Sequence, residues 1–339
     1  MTEVPLVVIA TGRDKFTALD QALDDSGFDE TLEKSIQTSG KNPADFSVAI
    51  KPNFMVFLSR KDPSAHTDPQ LVEHLVRRIR AQGVEHISVV ETENVLSNWY
   101  HNRDLATVAA AAGYGSDLYT LVDLAKDTIP YDFGGVLGAH RIGRTWAEAD
   151  FRISFAKNKT HPAARCTLAL KNIFGVTPEW NKYLVYHKKM EWDQVVMDIL
   201  DAFPLQFGII DAWWSADGAF GFRGDKTPVN TATILACKDI LALDWIGASK
   251  MGLDPMDSAM IRAAVKRWGE PMFHVQGDTK PYPDWDNIPF FLDRFDDILE
   301  EVYTAHSFLT HAIMLPPDPD FPEKHAGFFE RVRTILGID

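Results

Sequence analysis

The stretch DFRISFAKNKTHPAARCTLALKNIFG, residues 150–175, sets two patterns end to end. Phe151, Ile153, Phe155, Lys157, Lys159 and His161 share one parity, and alternate side chains of an extended chain face the same way. One face of this strand therefore runs through three apolar residues, then two lysines and a histidine. The apolar part suits the interior of a sheet, and the cationic part should emerge at its C-terminal edge, where open parallel sheets bind ligands. Pro162 ends the extended run. TLALKNIF then reads as a short helix, and Gly175 suits its exit.

The same alternation of strand and helix continues outward. Upstream, PLVVIATG, FSVAIKPNF and HISVVETEN read as strands. Between them, FTALDQALDDSG, DETLEKSIQTSG and TDPQLVEHLVRRIRAQG have helical spacing, the last with Thr67 as a capping candidate and Gly83 as its stop. Downstream, QFGIIDAWW and TATILACKD read as strands. EWDQVVMDILDAF, ILALDWIGASKMG and DSAMIRAAVKRWG read as helices. Phe291, Phe295, Ile298, Val302, Leu309 and Ile313 recur at helical spacing, which predicts a long amphipathic helix near the end. The rhythm predicts an α/β fold: a parallel or mostly parallel sheet with helices on both faces. Two lobes are expected, residues 1–200 carrying the Lys/His cluster and residues 201–339 forming a second α/β lobe with C-terminal helices.

Composition narrows the function. The chain has 339 residues, 45% of them hydrophobic, and a net charge of −14. That content supports a large core, and such acidity disfavours a phosphate-backbone partner, so no nucleic acid is expected. No apolar run reaches the length of a membrane span, and the N-terminus lacks the basic region of a signal peptide. A cytoplasmic protein with reduced thiols is expected. Two cysteines, Cys166 and Cys237, are too few for a four-cysteine zinc or iron–sulfur site.

Against that acidity stands a cationic island. Lys157, Lys159, Arg165, Lys171, Lys182, Lys188 and Lys189 face a single acid, Glu179. Such an island focuses small anions such as carboxylates or phosphates. His161 has an ordinary pKa near working pH and suits a general acid or base. Lys171 lies between Leu170 and Ile173, a setting in which burial favours a base or a covalent tether. His187 is a candidate metal ligand through neutral imidazole. Lys157, Lys159, Thr160, Asn172 and Asp211 are candidate ligand-binding residues. Glu91 and Glu93 fall near a strand end, Asp239 reads as a helix cap, and Asp244 reads as a partly buried carboxylate.

These residues carry a likeness. KPN at 51–53, KNKTH at 157–161, TLALKNIFG at 167–175, His187 and the spacing T-x-x-I-L-A-x-x-D-x-x-A-x-D from 231 to 244 resemble the domain of unknown function 362 family, over roughly residues 46–280. Many members of that family carry a ferredoxin-like cluster module, for which this chain lacks the cysteines. More distantly, His161, Lys171 and His187, separated by nine and then fifteen residues, resemble the constellation of the nickel-pincer lactate racemase family. That resemblance implies His161 as a proton-transfer residue, Lys171 as a cofactor tether and His187 as a nickel ligand, acting on small 2-hydroxy acids. The glycine-rich lead to that family's lysine is TLAL here, and His66 is the candidate for its second histidine.

The expectation is an enzyme acting on a small anionic carboxylate metabolite, with racemase- or epimerase-like proton or hydride transfer as the first reaction class. The alternative is a non-catalytic protein that binds an anion or a metal cofactor. The sequence leaves the substrate, the cofactor and the oligomeric state open.

Overall fold

The computed structural model describes residues 4–55, 62–93, 103–161, 163–179, 182–187, 189–218 and 228–288. The amphipathic helix expected around residues 291–313 lies outside them.

The N-terminal half alternates as its sequence predicts. β1 (Leu6–Thr11) leads to α1 (Lys15–Asp25) and α2 (Phe28–Ser39), then β2 (Ser47–Pro52), α3 (Pro69–Ala81) and β3 (His86–Glu91). The cap of α3 is Asp68, whose side chain accepts from the Gln70 amide, with Pro69 in the first turn. Thr67, expected as that cap, instead donates its hydroxyl to the Phe155 carbonyl at 2.9 Å and accepts from the Asn53 amide at 3.0 Å. Proline at the first helical position fixes the start one residue later than a threonine cap would.

Next come α4 (Leu105–Ala112), β4 (Thr120–Asp123), a small hairpin of β5 (Thr128–Asp132) and β6 (Ala139–Gly143), and α5 (Arg144–Glu148). β7 (Phe151–His161) is followed by β8 (Arg165–Thr167), α6 (Ala169–Asn172), α7 (Trp192–Ala202), β9 (Phe207–Ala216) and β10 (Val229–Cys237). α8 (Ile240–Lys250), α9 (Ala259–Trp268) and β11 (His274–Gln276) complete the described chain.

One large sheet has the order β11-β1-β10-β9-β7-β2-β3-β4, with β8 paired to β7. The run β4-β3-β2-β7-β9 is parallel throughout. β10 is antiparallel to both its neighbours, and β8 is antiparallel to β7. The chain is therefore a mixed α/β protein with a mostly parallel sheet flanked by helices, as its strand–helix rhythm predicts. The boundary expected at 200/201 falls at the end of α7, and the strands on either side of it, β7 and β9, pair directly from Ile153↔Phe207 onward.

Alternation along the strands builds two cores. Phe151, Ile153, Phe155, Phe207 and Ile209 join α1–α4 on one face. Ala156, Ile210, Ala212 and Leu235 join α6–α9 on the other. This two-sided burial explains why β2, β7 and β9 are almost wholly buried.

Candidate functional site

β7 stays extended to His161, so its polar tail does project from the C-terminal edge of the parallel strands. β2 ends beside it with Lys51 and Pro52, and β3 ends with Glu91. All three strands share one direction, which is why residues far apart in sequence meet at one rim.

At the centre of that rim is a buried ion pair. Lys51 Nζ lies 2.7 Å from Glu91 Oε2, with 1% and 5% of the two side chains exposed. The ammonium also donates to the Pro52 carbonyl at 2.6 Å and to Asn172 Oδ1 at 3.3 Å. Burial pushes the Lys51 pKa down, and Glu91 pulls it back up. Asn172 returns the contact by donating to the Lys51 carbonyl at 2.7 Å and to Ser154 Oγ at 3.1 Å. Gly175 packs so tightly here that a Cβ on it would strike Lys51 and Glu91.

A second buried pair lies one strand over. Lys157 Nζ meets Asp211 Oδ2 at 2.9 Å. The same carboxylate accepts from the amides of Asp68 at 2.8 Å and Trp213 at 3.0 Å. Thr160 donates to the Gly218 carbonyl at 2.7 Å. Lys157, Thr160, Asn172 and Asp211 are thus brought to the rim, but their polar groups bond within the protein, as a frame.

Two lysines differ. Lys159 Nζ donates to Asn53 Oδ1 and to the Ala65 carbonyl, both at 3.0 Å. Lys182 Nζ donates to Thr92 Oγ1 at 2.7 Å and to the carbonyls of Glu93 at 3.1 Å and Glu179 at 2.7 Å. Every one of these acceptors is formally neutral. Burial depresses both ammonium groups to about 7, helped at Lys159 by Lys157 and at Lys182 by Lys51 and Lys171, with Glu91 opposing in each case.

His161, Lys171 and His187 form the outer, partly open part of the rim. Lys171 Nζ sits 4.1 Å from the centre of the Phe174 ring, a cation–π contact. His187 meets the same ring edge-on at 5.3 Å and stacks on Trp192 at 4.8 Å. It ends a single π-helical turn, Tyr183–His187, a distortion that often accompanies functional sites. His161 Nδ1 accepts from the amides of Ala163 at 3.2 Å and Ala164 at 3.1 Å. Those bonds place the proton of the neutral ring on Nε2. Burial, then Lys171, His187 and Lys159, hold the His161 pKa well below its usual value. His66 is buried, and burial, then the charge of Lys157 and that of Lys159, lowers its pKa to about 3 against the pull of Asp68.

α6 owes its position to a carboxylate on the other side of the core. Asp244, buried in α8, accepts from the amides of Ala169 and Leu170, each at 2.8 Å. Burial raises its pKa to about 7 against the pull of those two bonds. Asp239 caps α8 through the Ala242 amide at 2.9 Å, as its place before the helix predicts.

The family assignment now rests on more than motifs. A family model described as domain of unknown function (DUF362) matches residues 48–249. The chain belongs to the DUF362 family. That span opens at β2 and closes in α8, and it encloses the pairs Lys51–Glu91 and Lys157–Asp211 as well as His161, Lys171 and His187. No curated protein matches the sequence. Among solved structures, the lactate racemase apoprotein from Thermoanaerobacterium thermosaccharolyticum aligns at a TM-score of 0.42 and 11% identity, covering 74% of this chain. The alignment takes in 57% of that protein, little more than half its length.

A nickel cofactor needs a ligand set. Among the described residues no group of three or more His, Cys, Asp or Glu side chains is placed to hold a metal ion. The His187 ring packs against those of Phe174 and Trp192. The described residues do not by themselves build a nickel centre, so no step below runs through one.

The rim also holds residues that sequence reasoning passed over or ranked low. Lys51 entered only through the KPN likeness, and Glu91 only as a strand-end acid. Their shared signal is position, each standing at the C-terminal end of a parallel strand.

Proposed function

We propose that this DUF362 protein is an enzyme acting on a small carboxylate metabolite, by proton transfer next to the acidic group. The observation that carries the reading is the gathering of Lys159, Lys171, Lys182, His161 and His187 around the satisfied Lys51–Glu91 pair. Carboxylates stabilised by ammonium groups in a partly desolvated site gain far more than in water.

The tautomer of His161 refines its role. Nδ1 is occupied by two backbone N–H groups, so protonating it would cost both bonds. The neutral ring therefore offers Nε2–H as a donor. In that form it stabilises oxygen charge that develops when a neighbouring C–H is deprotonated, and it does not take the proton itself. Lys171 and His187, the titratable side chains whose charges act on it, are the candidates to move that proton. A 2-hydroxy acid fits this division of labour, and racemisation or epimerisation is the reaction class that follows. Hydride transfer would need a cofactor to accept it.

A second reading, a protein that binds the anion without turning it over, draws on the same fixed His161 tautomer, because a donor alone suffices for binding. The two separate cleanly. Purified protein is incubated in D2O with a panel of 2-hydroxy acids, and loss of the α-proton signal is followed by NMR. Under the enzyme reading one acid exchanges, and His161→Ala retains binding while exchange falls by about a hundredfold or more. Binding without exchange across the panel, unaffected by the host's own extract, overturns it in favour of the second reading.

A further inference from the structure

The lysines at the rim fall into two kinds, and the difference counts charges. Lys51 and Lys157 each have a carboxylate within hydrogen-bond distance. Among the described residues, Lys159 and Lys182 have none; their five acceptors are an amide oxygen, a hydroxyl and three backbone carbonyls.

Those two ammonium groups are also held apart. A continuous hydrogen-bonded frame runs from one to the other: Lys159 to Asn53, Asn53 to Asn172 at 3.3 Å, Asn172 to Lys51, Lys51 to Glu91, Glu91 to the Thr92 amide at 3.0 Å, and Thr92 to Lys182. The ion pair lies in the middle of that frame and cancels its own charge. Each end carries a lysine whose ammonium form has no fixed counter-ion, in a protein whose net charge is −14. Leaving such groups buried is expensive unless something neutralises them.

We infer that the ligand of this site carries two separate acidic groups, one seated at Lys159 beside His161 and the other at Lys182. This rests on the anion-site reading above and narrows it from carboxylates in general to small doubly charged acids. The charged groups facing Lys159 are Lys157, Glu91, Lys171 and Lys51, and those facing Lys182 are Glu91, Lys51, Lys171 and Glu179. In each set the lysines outnumber the acids or equal them, so a bound anion supplies what the protein lacks. Because both ammonium groups titrate near neutrality, a dianion should also draw protons onto them as it binds.

The test is calorimetric titration at pH 7 with acetate, succinate and sulfate, each in buffers of different ionisation enthalpy. Succinate should bind about tenfold to a hundredfold more tightly than acetate, the range of one added charge-assisted contact, and with net proton uptake. Lys159→Met and Lys182→Met should each bring succinate down to the level of acetate and remove part of the uptake. Sulfate carries its charge on one centre and should match acetate more nearly than succinate. Equal binding of acetate and succinate overturns the inference while the anion site stands. Sulfate as tight as succinate overturns the two-seat arrangement. Failure of every probe to bind sinks the anion-site reading along with it. The wild-type comparison needs no variant, so a misfolded substitution leaves the test intact.

Discussion

Replacing Gly175 with alanine probes the centre of the rim through a single methyl group. Gly175 does not have a positive φ, so the backbone accepts alanine without strain and the cost is purely one of space. The new Cβ would collide with Cε and Nζ of Lys51 and with Oε1 of Glu91. Neither group has room to retreat, since both are buried and Lys51 is also tied to the Pro52 carbonyl and to Asn172. Ordinary overpacking costs about 1–3 kcal/mol. Breaking a buried ion pair outright costs about 3–5 kcal/mol. Displacing the pair without removing either partner falls between, at about 2–4 kcal/mol. Urea unfolding followed by tryptophan fluorescence measures it, with Gly115→Ala as the control, because nothing lies within 4 Å of a Cβ there. That control should stay within about 0.5 kcal/mol of the parent. A cost for Gly175→Ala below about 1 kcal/mol would refute the claim that the glycine exists to admit the ion pair.

Other consequences can be checked on the same protein. Lys159 and Lys182 have pKa values of about 7 in the fold against an ordinary 10.5, so between these values the unfolded chain binds more protons and stability should rise with pH. From pH 7 to 9 the slope approaches about 1.4 kcal/mol per unit for a fully buried lysine, less for the partly exposed Lys182, and Lys159→Met should flatten it; a flat parent profile in thermal melts would contradict the depressed values. Asp244 is raised to about 7 from 3.8, so its ionisation should lower stability as pH climbs through that interval. Asp244→Ala leaves the Ala169 and Leu170 amides unpaired in the core and should cost about 2–5 kcal/mol, whereas Asp244→Asn keeps one acceptor and should cost less; equal losses in denaturant titrations would argue against the capping role. Asp211→Asn should destabilise by about 3 kcal/mol or more by stranding Lys157, and Lys157→Met in the same chain should recover much of it.

The fold was legible where physics acts locally. The β-rich apolar runs of β2, β7 and β9 and the helical spacing of α3 and α7 are strong patterns because these elements face a core on one side or both. β4, β5, β6, β8 and β11 went unread because they are three to five residues long. Segments that short carry too few side chains to show a period, and their pairing is decided by neighbours distant in sequence. At the site, parity along β7 placed Lys157, Lys159 and His161 at the rim. What parity cannot show is which cations are already neutralised. Lys157 and Lys159 look alike in sequence, yet one meets Asp211 and the other meets only neutral oxygens, a distinction made by β9 and by the segment after β2. The fixed tautomer of His161 was equally hidden, since it depends on how the backbone turns toward β8.

The extent of the family match has a physical reading in these bonds. The cations and imidazoles of the rim come from residues 51–187, yet the match continues to residue 249. The added stretch supplies what those groups lean on. Asp211 in β9 neutralises Lys157, the Gly218 carbonyl receives Thr160, and Asp244 in α8 holds the first turn of α6, which carries Lys171 and Asn172. Without Asp211 a buried ammonium would stand alone. Without Asp244 a four-residue helix would have no partner for its leading amides, and helices that short do not persist unaided. The segment after residue 200 thus braces rim residues that lie before it. A truncation ending near residue 200 should therefore fail to protect the amides of Ala169 and Leu170 from hydrogen exchange; protection at parent levels in that fragment would show that the brace is dispensable.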